Sequence, residues 1–426
     1  MKEKLFQIPL SINLKEFFFL LFLICASGFS TIIQLITLFC FSLYFLLISK
    51  KIKFVNRWVF YISLTTISII QLLFLWRTDY GLNYAINTLL ISFMWFLALQ
   101  ASNIVVKGVF DINNIKLERI LKIFFKVNFF LVVLQVVFMC IEMKTFFPFS
   151  NMSAGDNVKG LFRNSSVNMV VMSFYSIFFI YRKEYKYFVL AIFITLLTFY
   201  MSGLLLFTGV VLAYVFFNLS INRKLKVLGV LLLILLLFIL ISPKNVKYVQ
   251  KILNDKISSK TDPPRKLVSF DQTLDHWVSS SRNFIYGSGG GKFSSRTSFI
   301  TGGEYVGWFP QKLTYLSPDF EGNHFQLWNS KILSIPYKDG TSNQPFSFYN
   351  KIVGEYGLIG ILLFLIYLSI PLKYYKHLSY GRVIFLLIFA YFLLDYWFEY
   401  FSVIVFFELF IFLDIKKHLQ NTTINE

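Results

Sequence analysis

This sequence predicts an all-α, polytopic membrane protein with about twelve transmembrane helices and one large external loop. Three observations predict it. Hydrophobic residues make up 56% of the 426-residue chain and charged residues only 15%, too few to cover a soluble core. The apolar residues collect in runs long enough to cross a bilayer, and Lys and Arg collect in alternate connections between those runs.

Taken in order, the run 17–49 is too long for one helix and divides at "ASGFS" (26–30) into two short spans. Single spans follow at 58–76, 82–106, 120–141 and 167–181. The run 187–217 is again too long, and "MSG" (201–203) offers the break because glycine tolerates tight backbone geometry. A span at 227–241 precedes a long polar stretch, after which come 352–372, 383–394 and 401–415, the last two joined by the hinge "DYWFEY" with its two acids. The basic start and apolar middle of "MKEKLFQIPLSINLKEFFFLLFLICASG" resemble a signal peptide, but the many spans that follow favour an uncleaved first helix.

The basic segments 50–57, 107–122, 182–186, 222–226, 373–382 and 416–418 all fall on one side if the N-terminus does. The alternation predicts an even number of spans with both termini cytoplasmic. Three units result: spans one to nine in 1–242, the large external loop 243–350, and three more spans with a tail in 351–426. A loop of about a hundred residues far exceeds the usual connection of roughly 4–6. Its alternating apolar and polar residues, with Trp277, Trp308 and Trp328, predict an ordered, partly helical cap.

The formal charge of +19 points to anionic lipid or phosphate and not to nucleic acid, since no soluble basic domain exists to hold a duplex. Cys25, Cys40 and Cys140 lie in apolar runs without ligand spacing, and the four histidines form no metal-binding pattern.

External cations at membrane depth are the first candidates for chemistry. Arg77 ends a span in "FLWRTDYG", Lys159 and Arg163 precede one in "NVKGLFRNSSVN", and Arg265 stands in "TDPPRKLVSFDQ". Any one alone could be a side chain snorkelling to water. Together, on the side where basic residues are disfavoured, they ask for an anion, and guanidinium forks suit a diphosphate. The loop "IYGSGGGKFSSR" lacks nucleotide P-loop spacing, yet its glycines around Gly289 would let backbone N–H groups approach a substrate, with Lys292 beside them. Candidate bases are Glu321 and His324, with Asp319, in "SPDFEGNHFQLWNS", and the group Asp271, Asp275 and His276. Solvated loop acids are the alternative for each group. Glu355, in "YNKIVGEYGLIG", sits where the polar stretch meets an apolar run, so burial demands a partner for it.

Four segments carry a resemblance to the O-antigen polymerase and O-antigen ligase superfamily. "KGLFRNSSVNMVVMS" resembles that family's Gly-x-Phe and Asn segment. "LTFYMSGLLLFTGVVLAYVF" is similar to its helix pair around a Ser-Arg turn, with Gly203 where Arg is common. "RKLVSFDQTLDHWVSSSRNFIYGSGGGKF" resembles its Arg and Gly-x-Gly-x-Gly-x-Phe stretch at longer spacing, and "PFSFYNKIVGEYGLIGILLF" ends in its Glu-x-Gly-x-x-Gly.

The resemblance implies a bacterial inner-membrane glycosyltransferase for O-antigen or capsular polysaccharide, needing neither metal nor cofactor. Its donor and acceptor would be undecaprenyl-diphosphate-linked glycans, and membrane lipids and a chain-length regulator would be further partners. Arg77, Arg163 and Arg265 match the diphosphate-holding positions, with His324 or Glu321 orienting the attacking hydroxyl. Lys159, Arg282, Gly289, Lys292 and Glu355 would contact substrate. Ligases often carry Pro-His-Asn before the last segment, where this chain reads Pro345-Phe346-Ser347, which favours polymerase over ligase. A flippase for lipid-linked oligosaccharide is the competing class. The nearly charge-free spans and the one large loop argue against it. Gly354, Gly357 and Gly360 lie three apart, a small-residue face on which Glu355 would anchor the junction by pairing with one of the arginines.

Overall fold

A computed structural model describes residues 13–28, 34, 36–41, 54–75, 81–150, 154–218, scattered positions from 220 to 240, 243–252, 263–334 and 344–425. The described residues are helical and contain no strand. Helices Gly81–Asp111, Asn114–Glu142, Met201–Asn218 and Phe348–His377 are long and apolar enough to cross a membrane, and Ser165–Tyr181, Tyr185–Leu197 and Gly381–Tyr391 are shorter apolar helices. Helical backbone is what such sequences must adopt in hydrocarbon, where an N–H or C=O without a partner costs several kcal/mol. Arg77 and most of the predicted 227–241 span lie outside the described residues.

Three of the basic segments come together through ion pairs. At one end of the bundle Lys116 reaches Glu16 at 2.7 Å, and Glu118 is shared by Arg182 at 2.5 Å and Lys417 at 2.8 Å. Lys122 meets Glu184 at 2.9 Å nearby in sequence. Segments predicted to lie on one face, 107–122, 182–186 and 416–418, therefore meet there. Lys416 is buried and donates to the carbonyls of Val109 and Ile112, neutralising the negative end of the helix Gly81–Asp111.

The first predicted break holds: the helix Leu14–Ser27 stops at Gly28. The second falls earlier than "MSG". The helix Tyr185–Leu197 ends before Thr198–Tyr200, Phe199 takes φ 49°, and the next helix starts at Met201 with Gly203 already inside it. Glycine serves packing there, since a Cβ at Gly203 would come within 2.8 Å of Met169 Sδ. The last helix, Phe401–Asn425, continues beyond the predicted 415 and carries the basic tail with it.

One of the charges is not where the sequence put it. Arg57, read as part of a basic loop, is 1% exposed in the first turn of the helix Val55–Leu75. Its guanidinium donates to Ser102, Ser102 donates to Glu408, and Tyr367 donates to Glu408 at 2.9 Å. Arg57 and Glu408 are 4.0 Å apart, so an ion pair tied by hydroxyls links four helices inside the bundle.

Among its described residues the cap is partly helical, with helices Arg265–Val278, Ser281–Tyr286 and Arg296–Thr301 and shorter turns at Pro318–Gly322, His324–Leu327 and Ser330–Leu333. Its own core is aromatic: Phe299, Phe320, Trp328, Phe346 and Tyr396 pack together. Phe346 sits at its centre, with ring centroids 4.8 Å from Phe299 and 4.9 Å from Tyr396.

The centre of the cap descends into the bundle. Segment 287–295 contacts Ser68 and Gln71, Asn87 and Thr88, and Glu355 and Tyr356 on three different helices. At 1.5 Å rise per residue these positions lie roughly 6–12 Å below the helix ends at Leu75, Gly81 and Phe348. The loop 243–350 is thus partly re-entrant. The helix Phe348–Tyr374 makes room by breaking at Gly357, whose φ of 57° and ψ of −145° are non-helical. A Cβ at Gly357 would lie 2.7 Å from Phe284 O and 2.8 Å from Ile285 C, so both conformation and space require glycine. Gly357→Ala is expected to destabilise the protein by about 2–4 kcal/mol, read as a lowered unfolding temperature in detergent. An unchanged temperature would contradict this packing.

Candidate functional site

Glu355 organises the re-entrant loop. It is fully buried, one Oε accepts from Gly291 N at 2.9 Å, and the other accepts from Phe293, Ser294 and Ser295 N at 3.1, 3.1 and 2.9 Å and from Ser298 Oγ at 3.1 Å. The glycines give the loop its anion-binding shape, with Gly289 at φ 104° and Gly291 at φ 79°. The anion held there is the protein's own carboxylate. Gly290 N donates to Gln71 Oε1 at 3.1 Å and Gly289 N to Glu355 O at 2.9 Å, so irregular backbone at this depth is satisfied by side chains and carbonyls. Tyr356 next to it accepts from Trp95 Nε1 at 2.7 Å and meets Ser68 Oγ at 3.0 Å.

Lys292 is buried beside the loop. Its Nζ donates to Thr88 Oγ1 at 2.7 Å and to Gly290 O at 3.1 Å and lies 4.4 Å from the Tyr84 ring centroid. It braces the loop against the helix Gly81–Asp111.

Four residues beyond Lys292, where the helix Arg296–Thr301 begins, the chain reaches the second part of the site. Arg296 is buried, its N–H donates to Glu399 Oε1 at 3.0 Å, and its guanidinium lies 5.0 Å from the Tyr400 ring centroid. Arg163 comes from the turn before the helix Ser165–Tyr181 and is half-buried. Desolvation, and then the Arg296 charge, hold its guanidinium below the ordinary arginine range. Tyr305, Tyr396 and Tyr400 act on both arginines, and Tyr396 donates to Tyr305 at 2.9 Å.

Glu399 is met by Lys351 at 2.8 Å, and Lys351 Nζ sits 3.8 Å over Trp95. Lys351 and Arg296 thus meet at one carboxylate, with Arg163 close enough to Arg296 to feel its charge. A second acid, Asp395, is pushed toward its protonated form by burial, and burial likewise lowers the neighbouring Lys266, which donates to the carbonyls of Phe346 and Leu394. Two guanidiniums among tyrosine hydroxyls can bind phosphate oxygens and stabilise charge developing on a leaving group.

The other predicted site residues are dispersed. Arg265 is partly buried and donates to Leu327 O at 3.2 Å. Lys159, Arg282 and Glu321 are exposed, and Asp319 is partly buried in the first turn of Pro318–Gly322. His324 is fully buried, with Nδ1 at 3.0 Å from Ser294 Oγ and Nε2 at 3.0 Å from Ser269 O and 3.2 Å from Thr273 Oγ1. Both ring nitrogens are occupied by protein, which makes it a strut between the re-entrant loop and the helix Arg265–Val278. His276 is its counterpart, meeting Ser288 Oγ at 2.6 Å and stacking on Phe293 at 4.5 Å.

Burial lowers His324 from its ordinary 6.5 to about 3. A depressed folded-state value means the unfolded chain binds the proton first, so stability is full above about pH 6.5 and falls as pH drops toward 3. The expected slope from this group is at most about 1.4 kcal/mol per pH unit. Unfolding of wild type and His324→Gln between pH 7 and 4 should show a shallower dependence in the variant, and parallel curves would contradict the assignment.

Sequence reasoning overlooked Arg296 as a site residue, along with Lys351, Glu399 and the three tyrosines. The available signal was charge in apolar context: Lys351 four residues before Glu355, and two acids in the short hinge 395–400. No family model, curated protein or solved structure matches the chain.

Proposed function

We propose that the protein is a polysaccharide polymerase that joins polyprenyl-diphosphate-linked repeat units at the outer face of a bacterial cytoplasmic membrane. The supporting observation is the convergence of Arg163 and Arg296, from separate elements, within a ring of tyrosines at the cap end of an apolar bundle. In this reading about twelve spans carry the site, with both termini cytoplasmic. The acceptor's sugar hydroxyl attacks the donor's anomeric carbon, a new C–O bond forms, and the bond to the lipid diphosphate breaks. The diphosphate leaves with the electron pair, the arginines neutralise it, and the hydroxyl proton passes to solvent water. Phe346, where ligases often carry histidine, favours polymerisation over ligation, because its ring fills the cap core.

A second reading is supported by the Arg57–Glu408 pair. The spans are not as free of charge as their sequence indicated, and buried ionisable groups between helices are a feature of transporters. One experiment separates the two. Purified protein in vesicles, given a lipid-linked repeat unit without added divalent metal, should build a ladder of longer glycans. Lipid-linked sugar crossing the vesicle without any ladder would establish transport instead.

A further inference from the structure

We infer that the helices Arg265–Val278 and Ser281–Tyr286 of the cap bed in the membrane leaflet on the cap side, with Leu267, Leu274, Val278, Phe284, Ile285 and Tyr286 against lipid. All six are exposed, Val278 by 67%. The exposed face of the first helix divides lengthwise: Leu267, Leu274 and Val278 form one edge, and Asp271 and Asp275, four apart, form the other. An edge of each kind along one exposed face suits an element lying at the boundary between hydrocarbon and water, with the acids on the aqueous side.

Depth is fixed by packing. Trp277 donates to Phe284 O at 2.9 Å and stacks on the Phe284 ring at 5.0 Å, joining the two helices. Phe284 and Ile285 in turn lie against Gly357, roughly 13 Å along the helix from Phe348, where that helix enters its unbroken apolar run 357–372. Just beyond, Leu362, Leu365 and Ile366 are exposed on the same helix, as lipid-facing residues are. The apolar edge of the cap therefore continues an apolar surface already at membrane depth. A water-facing patch of this extent would be unusual. Lipid is favoured over a protein partner by that continuity.

The inference rests on membrane embedding and not on polymerase chemistry, so its test does not depend on any glycan ladder. Full-length protein with Cys25, Cys40 and Cys140 replaced by Ser is reconstituted into phosphatidylcholine and phosphatidylglycerol vesicles. Nitroxide labels are placed singly through Leu274→Cys, Val278→Cys, Ile285→Cys, Asp271→Cys and Asp275→Cys. Labels at 274, 278 and 285 should collide severalfold more with oxygen, which partitions into lipid, than with an aqueous nickel chelate. Labels at 271 and 275 should show the reverse. Preference for the nickel chelate at 274 and 285 would overturn the proposal, and so would exclusion of both reagents, the signature of coverage by a second copy or another protein.

Discussion

Arg163→Ala is expected to cut glycan-ladder formation by about 10²–10³-fold in a protein that still unfolds cooperatively. Arg163 is partly desolvated and lies within reach of the like charge of Arg296. In the proposed reaction its removal takes away attraction at the leaving diphosphate. Arg296→Lys keeps the charge but not the planar fork, so a substantial loss of ladder with normal unfolding is expected there too. Both measurements use the same purified material: ladder length against time, and unfolding temperature. An undiminished ladder in both variants would remove the arginine pair from the mechanism.

Glu355→Ala should have the largest effect on stability. It leaves four backbone N–H groups and one hydroxyl without their acceptor in a buried loop, and each such donor costs about 1–3 kcal/mol. A loss of several kcal/mol follows, large against the roughly 5–15 kcal/mol by which proteins are stable. Glu355→Gln retains one acceptor oxygen and turns the other into a donor against an N–H, so its loss should be smaller but clear. The loop carries Arg296 at its far end, and activity should fall in step with loop order. Hydrogen exchange at 289–295 would read that order directly: exchange in Glu355→Ala as slow as in wild type would show that the carboxylate does not hold the loop.

Much of this architecture could be read from the sequence because its causes are local. Apolar runs and their lengths indicate helices, and the basic segments around Glu118 come together through its ion pairs with Arg182 and Lys417. Glu355 was recognisable as an anchor because a carboxylate entering an apolar helix must find partners. Its partners were not recognisable. An arginine is the partner the sequence suggests, whereas the loop's own N–H groups take the carboxylate, since glycines with positive φ can turn successive N–H groups to one point and a distant arginine must be brought there by the whole fold.

The sequence by itself determined a helical, membrane-embedded chain with basic and cap-bearing ends, because hydropathy and charge act over a few residues at a time. Only the tertiary structure decided which cations meet. Arg163 joins Arg296 instead of Arg265, His324 becomes a strut, and Arg57 finds Glu408, because each of these depends on contacts between segments far apart in sequence that no local pattern encodes.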